Sequence, residues 1–355
     1  VPEASAHALV DWFRANGREL PMRTPRPRDP YPVLVSEVMA QQTQIDRVVP
    51  AFDRFIDLFP DAESLAAASE NEVLQAWSGL GYYRRARLLH TAIRTVVTAG
   101  AWPRTRDELA RLPGLGPYTS AAVAAFCFGG DDPPVDGNVE RVTARFLALD
   151  LPLASGPLRR AADAFARDLW RAHPGPEVFE AVMELGATVC TPSAPRCPEC
   201  PLAPGCRALR LGTPALFPRP RPQRAAEDRR WVCLWLPRHD GRVLLRRVAD
   251  GTPLAGLWLP PLADAGAAPA ADAARRLAVE VGAVGPLVAA PPVRHSITHR
   301  RITVAPFIVS STTPAAHERP AEWSWEDPAA PAVATSTLLA KLRRACTDAA
   351  STRQP

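Results

Sequence analysis

Two periods divide this chain. Through residues 1–206, apolar side chains recur at helical spacing: Val33, Leu34, Val38 and Met39 form one stripe, and Val48, Phe52, Phe55 and Leu58 form another. Ser64–Trp77, Arg84–Thr98 and Leu158–Ala172 carry the same spacing, with Pro60, Pro103, Pro113 and Pro174 as breaks. From Ala203 to about Arg230 the text turns Pro- and Arg-rich, which suits an extended connector. Beyond it the period becomes two. Trp231–Leu236, a His239-Asp240-Gly241 turn and Val243–Leu245 predict a hairpin. Ala271–Val281 predicts a helix, Ile302–Ser310 a strand and Ser336–Cys346 a last helix. The expected architecture is a mostly α domain over 1–206, a connector over 207–229 and an α+β domain over 230–355.

Composition sharpens little of this. At 355 residues and 47% hydrophobic the chain can build two cores, and no apolar run approaches the ~20 residues of a membrane span. Val1–Arg14 shows no basic-then-apolar leader, so the expectation is a cytoplasmic chain. A net charge of +5 points only weakly to an anionic partner, because residues 1–200 hold 21 Arg against 25 acids. One count restricts the chemistry. Lys341 is the single lysine among 42 basic residues, which leaves a Schiff-base mechanism one distant candidate.

Cysteine placement is more telling. Cys190, Cys197, Cys200 and Cys206 fall as C-x6-C-x2-C-x5-C in a Pro-rich stretch, a spacing that suits zinc or an iron–sulfur cluster equally. Cys127, Cys233 and Cys346 sit alone among apolar or helical neighbours and read as inert buried thiols.

Residues 112–119, Leu112-Pro113-Gly114-Leu115-Gly116-Pro117-Tyr118-Thr119, lie between helical Arg106–Arg111 and Ser120–Phe128. Two glycines one residue apart make a tight turn whose bare backbone can approach a phosphate, and the next helix adds its first N–H groups. That is the form of a helix-hairpin-helix that grips DNA without reading sequence. A plain interhelical turn is the competing reading. Glu37, over Val33 and Leu34 on its helix, is set to lose solvent and gain pKa, as a general acid needs. Asp136, before the helix marked by Val139, Val142, Phe146 and Leu147, is placed as an N-cap, and the helix N–H groups should hold it ionised. An acid beside a carboxylate anion is the arrangement of a glycoside-cleaving site.

These segments together resemble the MutY-type adenine DNA glycosylases of the endonuclease III superfamily. The resemblance runs through Ser36-Glu37-Val38-Met39-Ala40-Gln41-Gln42-Thr43-Gln44, Gly79-Leu80-Gly81-Tyr82-Tyr83, the hairpin, Asp136-Gly137-Asn138-Val139 and the four cysteines. It implies a helix-hairpin-helix glycosylase domain whose cysteines hold a [4Fe–4S] cluster, with Glu37 as acid and Asp136 as the cation-stabilising carboxylate. Tyr118 and Asn138 match active-site supports. Gln42 and Tyr82 match residues that wedge into the base stack, and Thr43, Leu112, Gly114 and Gly116 match the DNA-facing backbone and side chains. Arg23 and Glu180 match positions that face the purine edge. Where lyase members of the superfamily carry a catalytic lysine this chain has Tyr118, and Glu140 replaces another lysine, so base removal without strand scission is expected.

The C-terminal region resembles the same family's Nudix-like recognition domain, through Gly256-Leu257-Trp258-Leu259-Pro260 and Arg275–Gly282. Arg276 and Val279 stand where metal-binding carboxylates belong in a hydrolase, leaving Glu280. In place of a Phe-Ser-His lesion loop the chain has Ile297-Thr298-His299, so Thr298 and His299 are the expected contacts to the oxidised base. Met22 stands where the family usually has Trp. The resemblance implies a monofunctional glycosylase, a monomer in a bacterial cytoplasm and nucleoid-associated when on DNA, that removes adenine from duplexes holding 8-oxoguanine:A or G:A. The rival readings are a glycosylase for another mismatch, such as T:G, and a catalytically idle lesion-binding protein.

Overall fold

The computed structural model describes residues 2–221, 225–249, 251–252, 254–309 and 322–351. It divides into two compact units, Val1–Ala67 with Leu88–Gln223 and Ala68–Arg87 with Arg224–Pro355. Among the described residues no helix is long and apolar enough to cross a membrane.

The helices, in chain order, are α1 (Glu3–Asn16), α2 (Pro30–Ala40), α3 (Ile45–Leu58), α4 (Ala62–Ala67), α5 (Glu70–Ala76), α6 (Arg84–Ala99), α7 (Arg106–Leu109), α8 (Pro117–Phe128), α9 (Gly137–Leu147), α10 (Gly156–Ala172), α11 (Glu177–Thr188) and α12 (Arg207–Arg210). The single helix expected over Ser64–Trp77 is two. Ser69 accepts from the Glu72 N–H while the Glu72 carboxylate accepts from the Ser69 N–H, a capping box that starts α5 afresh. Both α2 and α8 are apolar nearly all round, and both are buried: Val33, Leu34, Val35, Val38 and Met39 on one, Ala121–Phe126 on the other. The buried Ser36 of α2 spends its hydroxyl proton on the Val33 carbonyl at 2.8 Å, which leaves Glu37 as the one carboxylate on this apolar helix.

Residues 68–87 pack with the second unit. The Tyr83 hydroxyl donates to the Thr335 carbonyl at 2.9 Å, Ala334 N–H donates to Asn71, and Arg247 pairs with Glu70 at 2.7 Å. The strands of that unit are β1 (Glu227–Trp235), β2 (Val243–Arg247), β3 (Trp258–Leu259), β4 (Leu262–Asp264), β5 (Leu287–Ala289), β6 (Val293–Ile297), β7 (Arg300–Val309) and β8 (Trp323–Glu326), with helices α13 (Ala270–Val281) and α14 (Thr337–Ser351). One sheet runs β4-β1-β7-β5 with β6 also on β7, and the other runs β3-β2-β8.

The predicted hairpin is only half right. Its turn forms, with Gly241 at φ 83° and the Arg238 N–H donating to the Arg242 carbonyl. Its strands then part: β1 pairs in parallel with β7, Trp231 opposite Val304, while β2 pairs with β3 and β8. Burial explains the choice. Val232–Leu236 are all buried, so β1 is covered on both faces, as parallel pairing favours. Val232 and Leu234 meet Ala273, Ala274 and Leu277 of α13 in one apolar core. Part of the predicted connector, residues 222–224, and the last residue of the predicted Ile302–Ser310 strand lie outside the described residues.

Candidate active site

A cleft of about 910 Å³ opens in the first unit. Glu37 from α2, Tyr118 from α8 and Asp136 and Asn138 from the start of α9 all line it, together with Gln42, Thr43, Arg23 and Glu180. Three buried helices thus bring residues a hundred positions apart to one cavity.

Asp136 caps α9. One of its oxygens accepts from the Asn138 and Val139 N–H groups, both at 2.9 Å, and the other accepts from the Asn138 side-chain amide at 2.7 Å. The cap geometry is the expected one; the electrostatics are not. Burial outweighs those three donors and Arg141, and it pushes the Asp136 carboxyl above its ordinary range. Glu37 is pushed up too, to about 7, first by burial. The Tyr118 hydroxyl, which donates to Glu37, pulls the other way, and the nearby Asp136 and Glu180 charges add to the rise. The cleft leaves Glu37 touchable by water, yet protein surrounds it densely enough for desolvation to dominate. The result is a carboxylic acid half-protonated near neutral pH beside a second carboxyl that is also raised, though less than it would be without its three N–H donors.

Behind the site runs a relay of polar contacts. The Asn138 amide oxygen accepts from Arg141 at 2.7 Å, and Arg141 also donates to the carbonyls of Gly186 at 2.7 Å and Cys190 at 2.8 Å. A side chain at Gly186 would meet the Asn138 Cβ at 2.6 Å, so only glycine lets α11 approach the start of α9 this closely. Glu140 turns away from the cleft and accepts from the Ala154 N–H at 2.7 Å.

The cleft wall holds an ion network that spacing alone does not announce. Glu180 and Glu184, one turn apart on α11, are 5% and 1% exposed. Glu180 accepts from Arg26 at 2.5 Å and Arg28 at 2.7 Å, with Arg23 at 3.9 Å, and Glu184 accepts from Arg18 at 2.6 Å and Arg23 at 2.7 Å. Arg23 and Glu180 are thus held in a buried ion network rather than in a surface pair. Sequence reading passed over Arg18, Arg26, Arg28 and Glu184. The available signal was the i, i+4 glutamate pair on a buried helix, facing an Arg-rich loop.

The hairpin forms between α7 and α8. Gly114 has φ 81°, and a Cβ there would strike the Leu88 Cβ at 2.6 Å, whereas a Cβ at Gly116 would meet nothing. The first glycine is thus demanded by the fold, and the second is free to serve an approaching ligand. Leu112 is buried, so a contact to DNA there falls to its backbone. Gln42 sits at φ 56°, in the left-handed region. In the second unit, Tyr82 has φ 47° and is 42% exposed, and Thr298 has φ 56° at the tip of the β6–β7 turn. Three of the side chains matched to DNA contacts thus ride on left-handed, non-glycine tips, a strained arrangement that tends to mark functional positions. The Thr298 hydroxyl donates to the Ile297 carbonyl at 2.6 Å, and His299 lies 3.7 Å from the Glu227 carboxylate. On α13, Glu280 pairs with Arg246 at 2.7 Å and Val279 faces solvent.

The four clustered cysteines surround one small cavity with Arg145, Val189 and Leu209. Cys190 follows α11, Cys197 and Cys200 flank a 3-10 turn, and Cys206 caps α12. Backbone N–H groups of Leu202 and of Ala208 and Leu209 reach the Cys200 and Cys206 sulfurs, the Arg145 guanidinium donates to the Cys190 sulfur at 3.3 Å, and burial pushes the Cys200 thiol up to about 12. Among the described residues no three Cys, His, Asp or Glu side chains converge on a single-ion site. The donor set is four soft ligands, with N–H groups ready for thiolate charge. Cys233 and Cys346 are buried and Cys127 partly so, and burial raises all three thiols.

Comparison with known proteins agrees with this geometry. Residues 35–155 match the family of HhH-GPD superfamily base excision DNA repair proteins. The adenine DNA glycosylase of Mycolicibacterium smegmatis is 42% identical over 230 residues, spanning 63% of this chain and 76% of that protein. The human adenine DNA glycosylase is 41% identical over 211 residues, which cover 57% of this chain but only 38% of the human one. In structure, a thermostable thymine-DNA glycosylase superposes with a TM-score of 0.51 at 25% identity, over 58% of this chain and 95% of its own. That match carries the fold, while the higher sequence identity to the adenine DNA glycosylases separates the adenine branch from it. The chain belongs to the adenine DNA glycosylase family.

Proposed function

We propose that this chain releases adenine mispaired with 8-oxoguanine, and also with guanine, from double-stranded DNA. The observation that carries the reading is the meeting of Glu37, Tyr118 and Asp136 in one cleft, with the Glu37 carboxyl pushed up to about 7. An adenine within the stack cannot be reached, so it must be flipped out, and Gln42 and Tyr82 each match a residue that wedges into the base stack. Protonated Glu37 then gives its proton to N7, which turns the purine into a neutral leaving group. As the glycosidic bond breaks, positive charge grows on the sugar. Asp136, whose three N–H donors already favour its anion, stabilises that charge and forms the glycosyl intermediate that water resolves. Tyr118 has no amine to form a Schiff base, so the product is an intact strand with an abasic site.

The reading extends to the lesion. Guanine offers an acceptor at N7, whereas 8-oxoguanine carries N7–H, a donor. The Thr298 hydroxyl spends its proton on the Ile297 carbonyl, which leaves its lone pairs for an N7–H and opposes an N7 acceptor. The test is single-turnover base release and affinity on 8-oxoguanine:A, G:A, T:A and T:G duplexes at one salt concentration. Adenine release without strand cleavage is expected, with 8-oxoguanine:A favoured over G:A by roughly tenfold, the value of one discriminating hydrogen-bond pair, and with Thr298→Ala narrowing that margin. Release of thymine from T:G and none from 8-oxoguanine:A would move the chain to another branch.

The cysteine cavity supports a [4Fe–4S] cluster held by Cys190, Cys197, Cys200 and Cys206. Four thiols line one cavity, a donor set that suits a cluster in which each iron takes one thiolate. Bound there, it would order the Pro-rich loop after α11. Anaerobically purified protein is expected to be brown, with about four irons and matching inorganic sulfide. Stoichiometric zinc without sulfide would contradict it.

A further inference from the structure

Tyr82 is an exposed aromatic ring on a backbone that bulky residues avoid, and the chain around it is built to keep it there. Glycines at positions 79 and 81, with φ 93° and 69°, fold residues 78–83 back on themselves. The fully buried Trp77 donates its indole N–H to the Gly81 carbonyl at 3.1 Å, and the Arg85 N–H donates to the Tyr82 carbonyl at 2.8 Å. The Arg85 guanidinium lies 5.1 Å from the centre of the Tyr82 ring and 5.7 Å from that of Trp77. The order is a buried indole, a planar cation and an exposed phenol. Each neighbouring pair lies within the distance at which a guanidinium and an aromatic face attract.

We propose that Arg85 is the positioning residue of the Tyr82 wedge: lying over the rings of both Trp77 and Tyr82, it holds the phenol in place and leaves its exposed side for a base. This rests on the reading that Tyr82 enters the duplex. The physical advantage is pre-organisation. A ring free to turn about χ1 must be ordered when it enters the stack, and the affinity lost to that ordering is spared when a cation already holds it. The guanidinium matters as much as its charge, because a delocalised cation is held less tightly by water than a compact ammonium and is freer to sit against aromatic faces.

The test is a double-mutant cycle in the full chain on an 8-oxoguanine:A duplex carrying 2-aminopurine beside the target adenine, whose fluorescence rises as the stack opens. Tyr82→Ala is expected to lower affinity about tenfold, the worth of one stacked base, and to cut the fluorescence amplitude. Arg85→Ala should reach most of that loss, and the double variant should be little worse than Tyr82→Ala alone. Arg85→Lys should recover affinity only in part. Arg85→Met, which keeps an unbranched stem, guards against a folding defect, and its melting temperature should stay near the parent's while its fluorescence amplitude falls. Losses that simply add across positions 82 and 85, or an Arg85→Met protein with full amplitude, overturn the positioning role while leaving the glycosylase reading intact. A Tyr82→Ala protein with unchanged amplitude overturns the wedge itself, and the Arg85 proposal with it.

Discussion

Glu37→Gln is expected to slow adenine release at least about 100-fold, the scale of a lost general acid, and to make the folded chain more stable above neutral pH. Both effects come from one cause. Burial holds the Glu37 carboxyl at about 7 against an ordinary 4.5. Because the folded-state value is the higher one, the folded protein takes up a proton that the unfolded chain has lost. Its stability therefore declines as pH rises from about 4.5 to about 7, and above that the full cost of a buried anion remains. The interval corresponds to at most about 3 kcal/mol, discounted by the water that reaches the cleft. Glutamine has the same shape and no charge to bury. Melting curves of the two proteins should coincide near pH 4 and separate by several degrees at pH 8, with the variant higher. The parent's single-turnover rate should fall about tenfold per pH unit above 7, as the acid loses its proton. A variant that melts lower than the parent at pH 8, or retains the parent's rate, removes Glu37 from its assigned role.

Arg145→Ala should cost more stability than any change in the cleft. Arg145 is 3% exposed, and its guanidinium donates to the carbonyls of Pro214 at 2.9 Å, Phe217 at 3.0 Å, Thr191 at 2.7 Å, Cys190 at 3.2 Å and Pro192 at 2.9 Å. It ties the start of the cysteine loop to the chain that leaves it. With the side chain gone, several carbonyls lose a charged donor in a place water reaches poorly, at about 1–3 kcal/mol for each group left unmet. A loss of about 3–5 kcal/mol is expected, with most of the iron and sulfide gone from the purified protein. Arg145→Lys should not restore it, since three donors on one nitrogen cannot reach acceptors spread around a planar fork. An Arg145→Ala protein with full iron content and an unchanged melting temperature would refute the staple.

What could be read from the residues alone was whatever is written in neighbouring positions. Helical stripes such as Val33–Met39, the Gly-x-Gly turn, the N-cap at Asp136 and the four-cysteine spacing are local patterns, because helices, turns and loop ligands are made by residues a few places apart. The resemblance extended that reach to the supporting places of Tyr118 and Asn138 and to a cluster, rather than zinc, as the expected occupant of the cysteines. The tertiary structure decided what depends on distant partners. Strand β1 left its hairpin neighbour for a parallel partner some seventy residues on, since covering both faces of Val232–Leu236 outweighs local pairing. Residues 68–87 took their contacts from Asn71 to Ala334 and Tyr83 to Thr335. The direction of the Asp136 pKa shift went the same way: its donors are local and legible, but its burial is assembled from the whole unit and raises the carboxyl despite them. Arg18, Arg26 and Arg28 carry no mark in their own neighbourhood, and gain a role only where α11 presents Glu180 and Glu184 to them. The physical reason is common to all four. Desolvation and ion pairing depend on what surrounds a group in space, and a linear pattern records only its neighbours along the chain.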